Sequence, residues 1–422
     1  MKAVLWLSTL LSVTLGLGVH IGFAQQLFEG QLEVAHYKAP ELPPPASMGS
    51  PTPPAPTPQP QLPEPSQSIG RPGFPAQTPN SSSQAAPSFT SNGTTWVNSP
   101  PLTMKKLRGQ VVLIDFWEYT CINCIRTLGT NKEWYARYHR YGFQIIGVHD
   151  PEFGIAFSVK NAREAIKRFK LSYPIVIDDD RIIWNEYHSD SWPNRFLIDA
   201  NGYVRFHRSG EGGDAAFETA IQQLLREAHP GLEFPASDVI PTPEDAFSAA
   251  CGITTPEMYV GDWYGRGTLA NPEGYRLGRT LNYQLPDAVN DGRVVLGGKW
   301  QTYHGGMTYR GKKTKTGGSA GELQMRYHAR ELYAVINVSR GHPERLYITQ
   351  DGENLTKENK GVDVEFDGQG RSYVEVREPR MYYLVSNPAF GSHTVVLTPT
   401  APGITINSFT FGNNCQTHFA HL

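Results

Sequence analysis

QVVLIDFWEYTCINCIRTL, residues Gln110–Leu128, decides how this chain is read. It opens as an apolar run preceded by a Gly109 turn, the pattern of a buried strand. It closes on a helical rhythm that continues through Ile125, Leu128, Tyr135 and Tyr138. Between strand and helix stand Cys121 and Cys124, three positions apart. A pair so placed can be a redox couple, half of a zinc site or a structural clip.

The context favours the redox couple. Cys121 falls at the helix N-terminus, where unpaired backbone N–H groups and the helix dipole favour an anion. That placement predicts a thiol pKa lowered from about 8.5 to between roughly 3.5 and 7.5. A thiolate there attacks a disulfide of another protein, and Cys124, one turn on and more buried, resolves the mixed disulfide. Asp115 lies six positions before Cys121 on the incoming strand. Buried there, its carboxyl would have a raised pKa and exchange a proton with Cys124. No cofactor is needed.

Working outward, FQIIGVH (Phe143–His149) and YPIVID (Tyr173–Asp178) read as strands, with a helix around Ala156–Phe169 between them. RFLIDANGYVRFHRSG (Arg195–Gly210) reads as a hairpin turning at Asn201–Gly202, and a last helix covers Asp214–Ala228. This order predicts a mixed sheet with helices on both faces. After a loop-rich connector, short alternating strands follow. They include LYAVINVS (Leu332–Ser339), RLYITQDGE (Arg345–Glu353), SYVEVRE (Ser372–Glu378), MYYLVS (Met381–Ser386), HTVVLTP (His393–Pro399) and ITINSFTFG (Ile404–Gly412). Strand-rich sequence of this length predicts a two-sheet sandwich.

The N-terminal part is of another kind. Lys2, the apolar stretch Val4–Leu17 and GFA (Gly22–Ala24) read as a signal peptide cleaved after Ala24. An uncleaved signal would instead tether the chain. From about Ala39 to Pro101 proline crowds the sequence, which predicts a disordered, partly polyproline linker. The expected organisation is therefore signal peptide 1–24, linker 25–94, redox domain 95–230, connector 231–256 and β-domain 257–422. An exported protein resides where disulfides persist, in the periplasm or another extracytoplasmic space. The formal charge of −2 gives no electrostatic reason for a nucleic-acid partner.

These motifs carry a resemblance. The segment from about Trp96 to Ala228 is similar to the thioredoxin fold, and within it to the TlpA/ResA-like exported redoxins. WVNSPPLTMKKLRGQVVLIDFWEYTCINCIRTL, IIGVHDPEF, YPIVIDDDRIIWNEYHSDSWPNRFLIDANG and GEG resemble the extracytoplasmic part of DipZ-type proteins. TTPEMYVG, GVDVEFDGQG, EPRMYYLV and FTFG resemble the carbohydrate-binding-module-like, jelly-roll-like domain that follows the redoxin there. The resemblance implies Cys121 as nucleophile, Cys124 as resolving cysteine, Asp115 as buried acid, and Pro193 as a cis-proline facing the disulfide, with Trp192 before it. It implies a thiol–disulfide oxidoreductase of the reducing kind, acting on protein disulfides. In place of the multi-helix membrane conduit of DipZ-type proteins this sequence shows a signal and a Pro-rich tether. Electrons are accordingly expected from a separate membrane thiol donor of the DsbD/CcdA kind. The dipeptide between the cysteines is Ile122–Asn123, without the proline found before the second cysteine in many thioredoxins.

Rival readings rest on fewer residues. The four cysteines are Cys121, Cys124, Cys251 and Cys415, too scattered for a four-thiolate zinc site. Cys415, His418 and His421 space three ligands in the tail, where a frayed end is the simpler reading. Cys251 and Cys415 bracket the sandwich and are expected to form a disulfide joining its ends, contributing roughly a few kcal/mol. A thiol peroxidase would need more than Thr120 beside Cys121. Trp263, Tyr264, Trp300, Tyr303 and Tyr309 are candidates for an exposed aromatic surface that stacks on envelope glycan or clamps a polypeptide. In that rival reading the chain is a glycan-binding protein and Cys121–Cys124 merely a clip.

Overall fold

The computed structural model describes residues 84–89, 95–234, 254–263, 266–314, 321–339 and 342–413. The expected signal peptide, most of the linker, Tyr264, Cys251, Cys415, His418 and His421 lie outside the described residues. Among the described residues no helix is long and apolar enough to cross a membrane.

The first sheet has six strands: β1 (Thr95–Val97), β2 (Val111–Trp117), β3 (Phe143–His149), β4 (Ile175–Ile177), β5 (Asn194–Ile198) and β6 (Val204–Ser209). Their spatial order is β1-β4-β3-β2-β5-β6. β2, β3 and β4 run parallel, whereas β1, β5 and β6 are antiparallel to their neighbours. Every residue of β2 and β3 is buried, which is why both read as unbroken apolar runs. The helices are α1 (Ile122–Tyr138), α2 (Val159–Arg168), α3 (Ile182–Glu186) and α4 (Asp214–Ala228). This is the thioredoxin fold expected from the sequence.

Strand alternation divides the core into two layers. Val111, Leu113 and Trp117 pack with Leu128 and Trp134 of α1, Ile166 of α2 and Phe217 and Ile221 of α4. Val112, Ile114 and Phe116 pack on the other face with Ile183 and Trp184 of α3 and with Phe89, Met104 and Leu107. Helices were expected on both faces, but the long ones share one face. The β2-α1-β3 and β3-α2-β4 crossovers step the same way, so right-handed connections put both helices on one side. The five-residue α3 and irregular chain cover the other.

Local signals explain the remaining edges. The expected helix around Ala156–Phe169 divides into a 3-10 turn, Gly154–Phe157, and α2. Ser158 separates them, its Oγ accepting the Asn161 N–H at 3.3 Å as an N-cap. The β5–β6 turn closes at Gly202, whose φ of +79° suits glycine.

Among the described residues from Met258 to Gly412 every regular element is a strand. These strands form one hydrogen-bonded sheet of eleven rather than two separate ones. Two long strands, Gly321–Val338 and Arg380–Pro399, make it continuous. The first pairs through its start with Val294–Gly298 and through its end with Ile404–Gly412. Register shifts between Ala329 and Tyr333 bend it between those partners. The sheet wraps a single core that includes Trp300, Tyr309, Tyr327 and Tyr382.

The described residues all fall within one compact unit, and the β-domain packs against the start of α1. Ile122 and Ile125 bury against Tyr333. Arg126 lies 5.4 Å over the Tyr333 ring and pairs with Glu331 at 3.5 Å and Glu211 at 3.3 Å. Below α1, Phe153 packs with Tyr259, Val335 and Trp263.

Candidate active site at the start of helix α1

Cys121 is the N-cap of α1, and its Sγ accepts the Cys124 N–H at 3.2 Å. Cys121 is partly exposed and Cys124 is buried; both are free thiols. The Trp192–Pro193 peptide bond is cis, and Cys121 Sγ donates to the Trp192 carbonyl at 3.7 Å. The Trp192 ring lies 4.5 Å from that of Trp184, and Arg181 stands 5.4 Å over it. Sequence-distant residues 121, 124, 192 and 193 therefore meet at one place.

Asp115 projects between Leu113 and Trp117 into the α1 layer and is fully buried. Asn131 of α1 donates to its Oδ2 at 2.8 Å, while Oδ1 receives no hydrogen bond from the protein. Arg195 stands opposite it on β5. That guanidinium is itself committed to Asp214 at 2.9 Å and the Gly212 carbonyl at 2.6 Å. Burial raises the Asp115 pKa to about 6, with Arg195 and Asn131 opposing. The carboxylate in turn pushes the Cys124 thiol up, although burial and Cys121 push it more.

The thiol of Cys121 departs from its expectation. A lowered pKa was predicted from the helix N-terminus, but burial raises it, and Glu152 and Glu118 raise it further. The Cys124 side chain and N–H offset only part of this. A helix end stabilises a thiolate by a modest partial charge, which desolvation and two carboxyl groups outweigh here.

Those carboxyls were not singled out from the sequence. Glu118 is fully buried in the loop between β2 and α1. Thr120 binds its Oε2 through its backbone N at 2.7 Å and through its hydroxyl. Oε1 receives no hydrogen bond from the protein and lies 4.0 Å from His149 Nε2. Burial raises Glu118 to about 7 and lowers buried His149 to about 4. Glu152 accepts the Tyr259 hydroxyl of the β-domain at 2.9 Å. A signal was present: Glu118 is a charge directly after a fully apolar strand end and three positions before a cysteine.

The aromatic candidates separate. Trp300 and Tyr309 are fully buried and cannot stack on a ligand. Trp263 packs 5.5 Å from Phe153, and Tyr303 alone of the described candidates is largely exposed, at 40%. Among the described residues no cluster of three metal-ligating side chains occurs.

Residues 83–207 match the AhpC/TSA family, and residues 255–412 match the thioredoxin-like C-terminal domain family. Thiol-disulfide oxidoreductase ResA of Bacillus cereus is 30% identical over 139 residues, covering 33% of this chain and 76% of that protein. The chain belongs to the thioredoxin-like thiol–disulfide oxidoreductases. DipZ of Mycobacterium bovis is 32% identical over 325 residues, or 76% of this chain. The chain spans 42% of the length of that DipZ protein. A solved thiol-disulfide isomerase from Corynebacterium glutamicum aligns with 33% of this chain and 96% of its own, at 23% identity and a TM-score of 0.29. The two domain matches fall on the two folded parts in the order that the DipZ-type resemblance implied.

Proposed function

We propose that this protein is an extracytoplasmic reductant of protein disulfides. The observation that carries the reading is the Cys121 thiol on the N-cap of α1, with the buried Cys124 behind it and the Trp192–Pro193 loop beside it. In the reaction, the Cys121 thiolate attacks a substrate disulfide and expels one substrate thiolate. Cys124 then gives its proton to the medium through Asp115, attacks the Cys121 sulfur and releases the second thiol. The two protein thiols become a disulfide as the substrate disulfide becomes two thiols. Trp192 and Pro193 form the wall along which the substrate backbone lies.

The raised Cys121 thiol supports the direction. A strong oxidant has its reduced form stabilised by a low-pKa thiolate, whereas a site that disfavours the thiolate holds electrons less tightly. Electrons would come from a membrane thiol donor of the DsbD/CcdA kind, with a signal peptide delivering the chain to the periplasm or its equivalent. The β-domain, packed beside Cys121 through Ile122, Ile125 and Tyr333, would dock substrate. Its carbohydrate-binding-module-like character and an envelope glycan ligand belong to the same proposal, with Tyr303 the exposed ring for it. A peroxidase role is less well served: the Thr120 hydroxyl is committed to Glu118 rather than left for a peroxide. Reduction of a protein disulfide, insulin for example, by the chain recharged with dithiothreitol tests the reading. Turnover that survives Cys121→Ser contradicts it.

A further inference from the structure

Resting on that reading, the geometry points to Glu118 as the proton acceptor of the Cys121 thiol, separate from Asp115, which serves Cys124. Three features of the loop lead there. Glu118 is fully buried and three residues before Cys121. Thr120 fixes one carboxyl oxygen through two donors and so orients the group. The second oxygen receives no hydrogen bond from the protein and retains lone pairs for a proton.

The surroundings single it out. The groups that face it are Tyr119 and Cys121 of its own loop, Cys124 of α1, and His149, Asp150 and Glu152 on and after β3. Burial holds Tyr119 and Cys124 up, so they keep their protons at neutral pH. His149, lowered to about 4, stays neutral there. Asp150, raised to about 8, stays mostly protonated, and burial pushes Glu152, which accepts the Tyr259 hydroxyl, upward as well. Glu118, at about 7, is the group of this set that can take a proton and return it near neutrality. The step balances. The Cys121 S–H proton passes to the Glu118 carboxylate as the sulfur bonds to one substrate sulfur. The substrate S–S bond breaks, and the leaving thiolate takes the proton back to become a thiol.

Substituting Glu118→Gln separates this role from a bystander charge, because the two predict opposite signs. A bystander carboxylate raises the Cys121 pKa, so removing it gives more thiolate and faster disulfide reduction at pH 7. A proton acceptor shares the shift of Cys121 alkylation by iodoacetamide to lower pH but reverses the rate: disulfide reduction at pH 7 falls by at least about tenfold. That is below the roughly 10²–10⁴-fold range of general acid–base catalysis because water competes for the proton. Glu118→Asp should recover part of the rate. An unchanged or faster E118Q overturns the inference while leaving the oxidoreductase reading intact, whereas an inactive wild-type chain sinks the reading itself. Should E118Q not fold, the pH profile of Asp115→Asn decides: it keeps an acid limb near pH 7 if Glu118 acts, and loses that limb if Asp115 is the single acceptor.

Discussion

Buried polar groups are handled differently in the Tyr327 network of the β-domain core and around the cysteines. In the β-domain core Tyr327 donates to Gln350 at 2.8 Å, and Gln350 donates to Asn387 at 2.9 Å, so the network closes on itself. Around the cysteines, Asp115 Oδ1, Glu118 Oε1, both His149 ring nitrogens and both Asp150 carboxyl oxygens are buried without a hydrogen bond from the protein. An unsatisfied buried polar group costs about 1–3 kcal/mol, so a folded chain rarely collects several in one place. The contrast locates the chemistry: the Tyr327–Gln350–Asn387 network fixes a shape, whereas the surroundings of the cysteines keep several polar groups available for protons.

The largest effect that would break this comparison is at Cys121. Cys121→Ser should bring disulfide reduction to the uncatalysed background with little change in Tm, because the residue is partly exposed and a serine oxygen can still accept the Cys124 N–H. A large fall in Tm in a thermal melt would instead reveal a structural clip. Next comes Trp300→Ala in the β-domain core. It should cost about 3–5 kcal/mol in denaturant unfolding, since Trp300 is fully buried and its Nε1 donates to the Gly297 carbonyl.

Asp115→Asn should act with the opposite sign on stability. The unfolded carboxyl ionises near 3.8 and the folded one at about 6, so the folded state binds more protons between those values. Stability contributed by the protonated group is thus present below pH 4 and lost as pH rises to 6. The variant, which has no such loss, should melt several degrees above wild type at pH 7 and alongside it at pH 4, while resolving mixed disulfides more slowly. His149, lowered from 6.5 to about 4, has the reverse slope in both proteins and cancels in the comparison. The smallest effect is at Lys313–Glu344, 2.8 Å apart with the lysine side chain 68% exposed. Lys313→Ala should change unfolding free energy by less than about 1 kcal/mol.

Much of this was legible in sequence, for identifiable reasons. β2 and β3 declare themselves because both faces are buried, and Cys121, Cys124, Asp115, Trp192 and Pro193 stand in short motifs at element ends. The long strand Arg380–Pro399 read as two because Asn387, Pro388 and Gly391 look like a turn. Its continuity depends on pairing with Gly321–Val338, a partner far along the chain. Five-residue α3 is too short to show a helical period. The raised Cys121 thiol was invisible because it arises first from burial beside the β-domain and then from Glu152, both of which only the fold brings about.

The central claim is that this site holds its electrons loosely and so reduces its partners. Equilibrating the purified chain in a thiol/disulfide buffer and trapping Cys121 and Cys124 with an alkylating agent gives the reduction potential of the pair. The account predicts a value at or below about −220 mV, in the range of glutaredoxins and thioredoxins. A value near about −120 mV, that of a disulfide-forming oxidant, would contradict it.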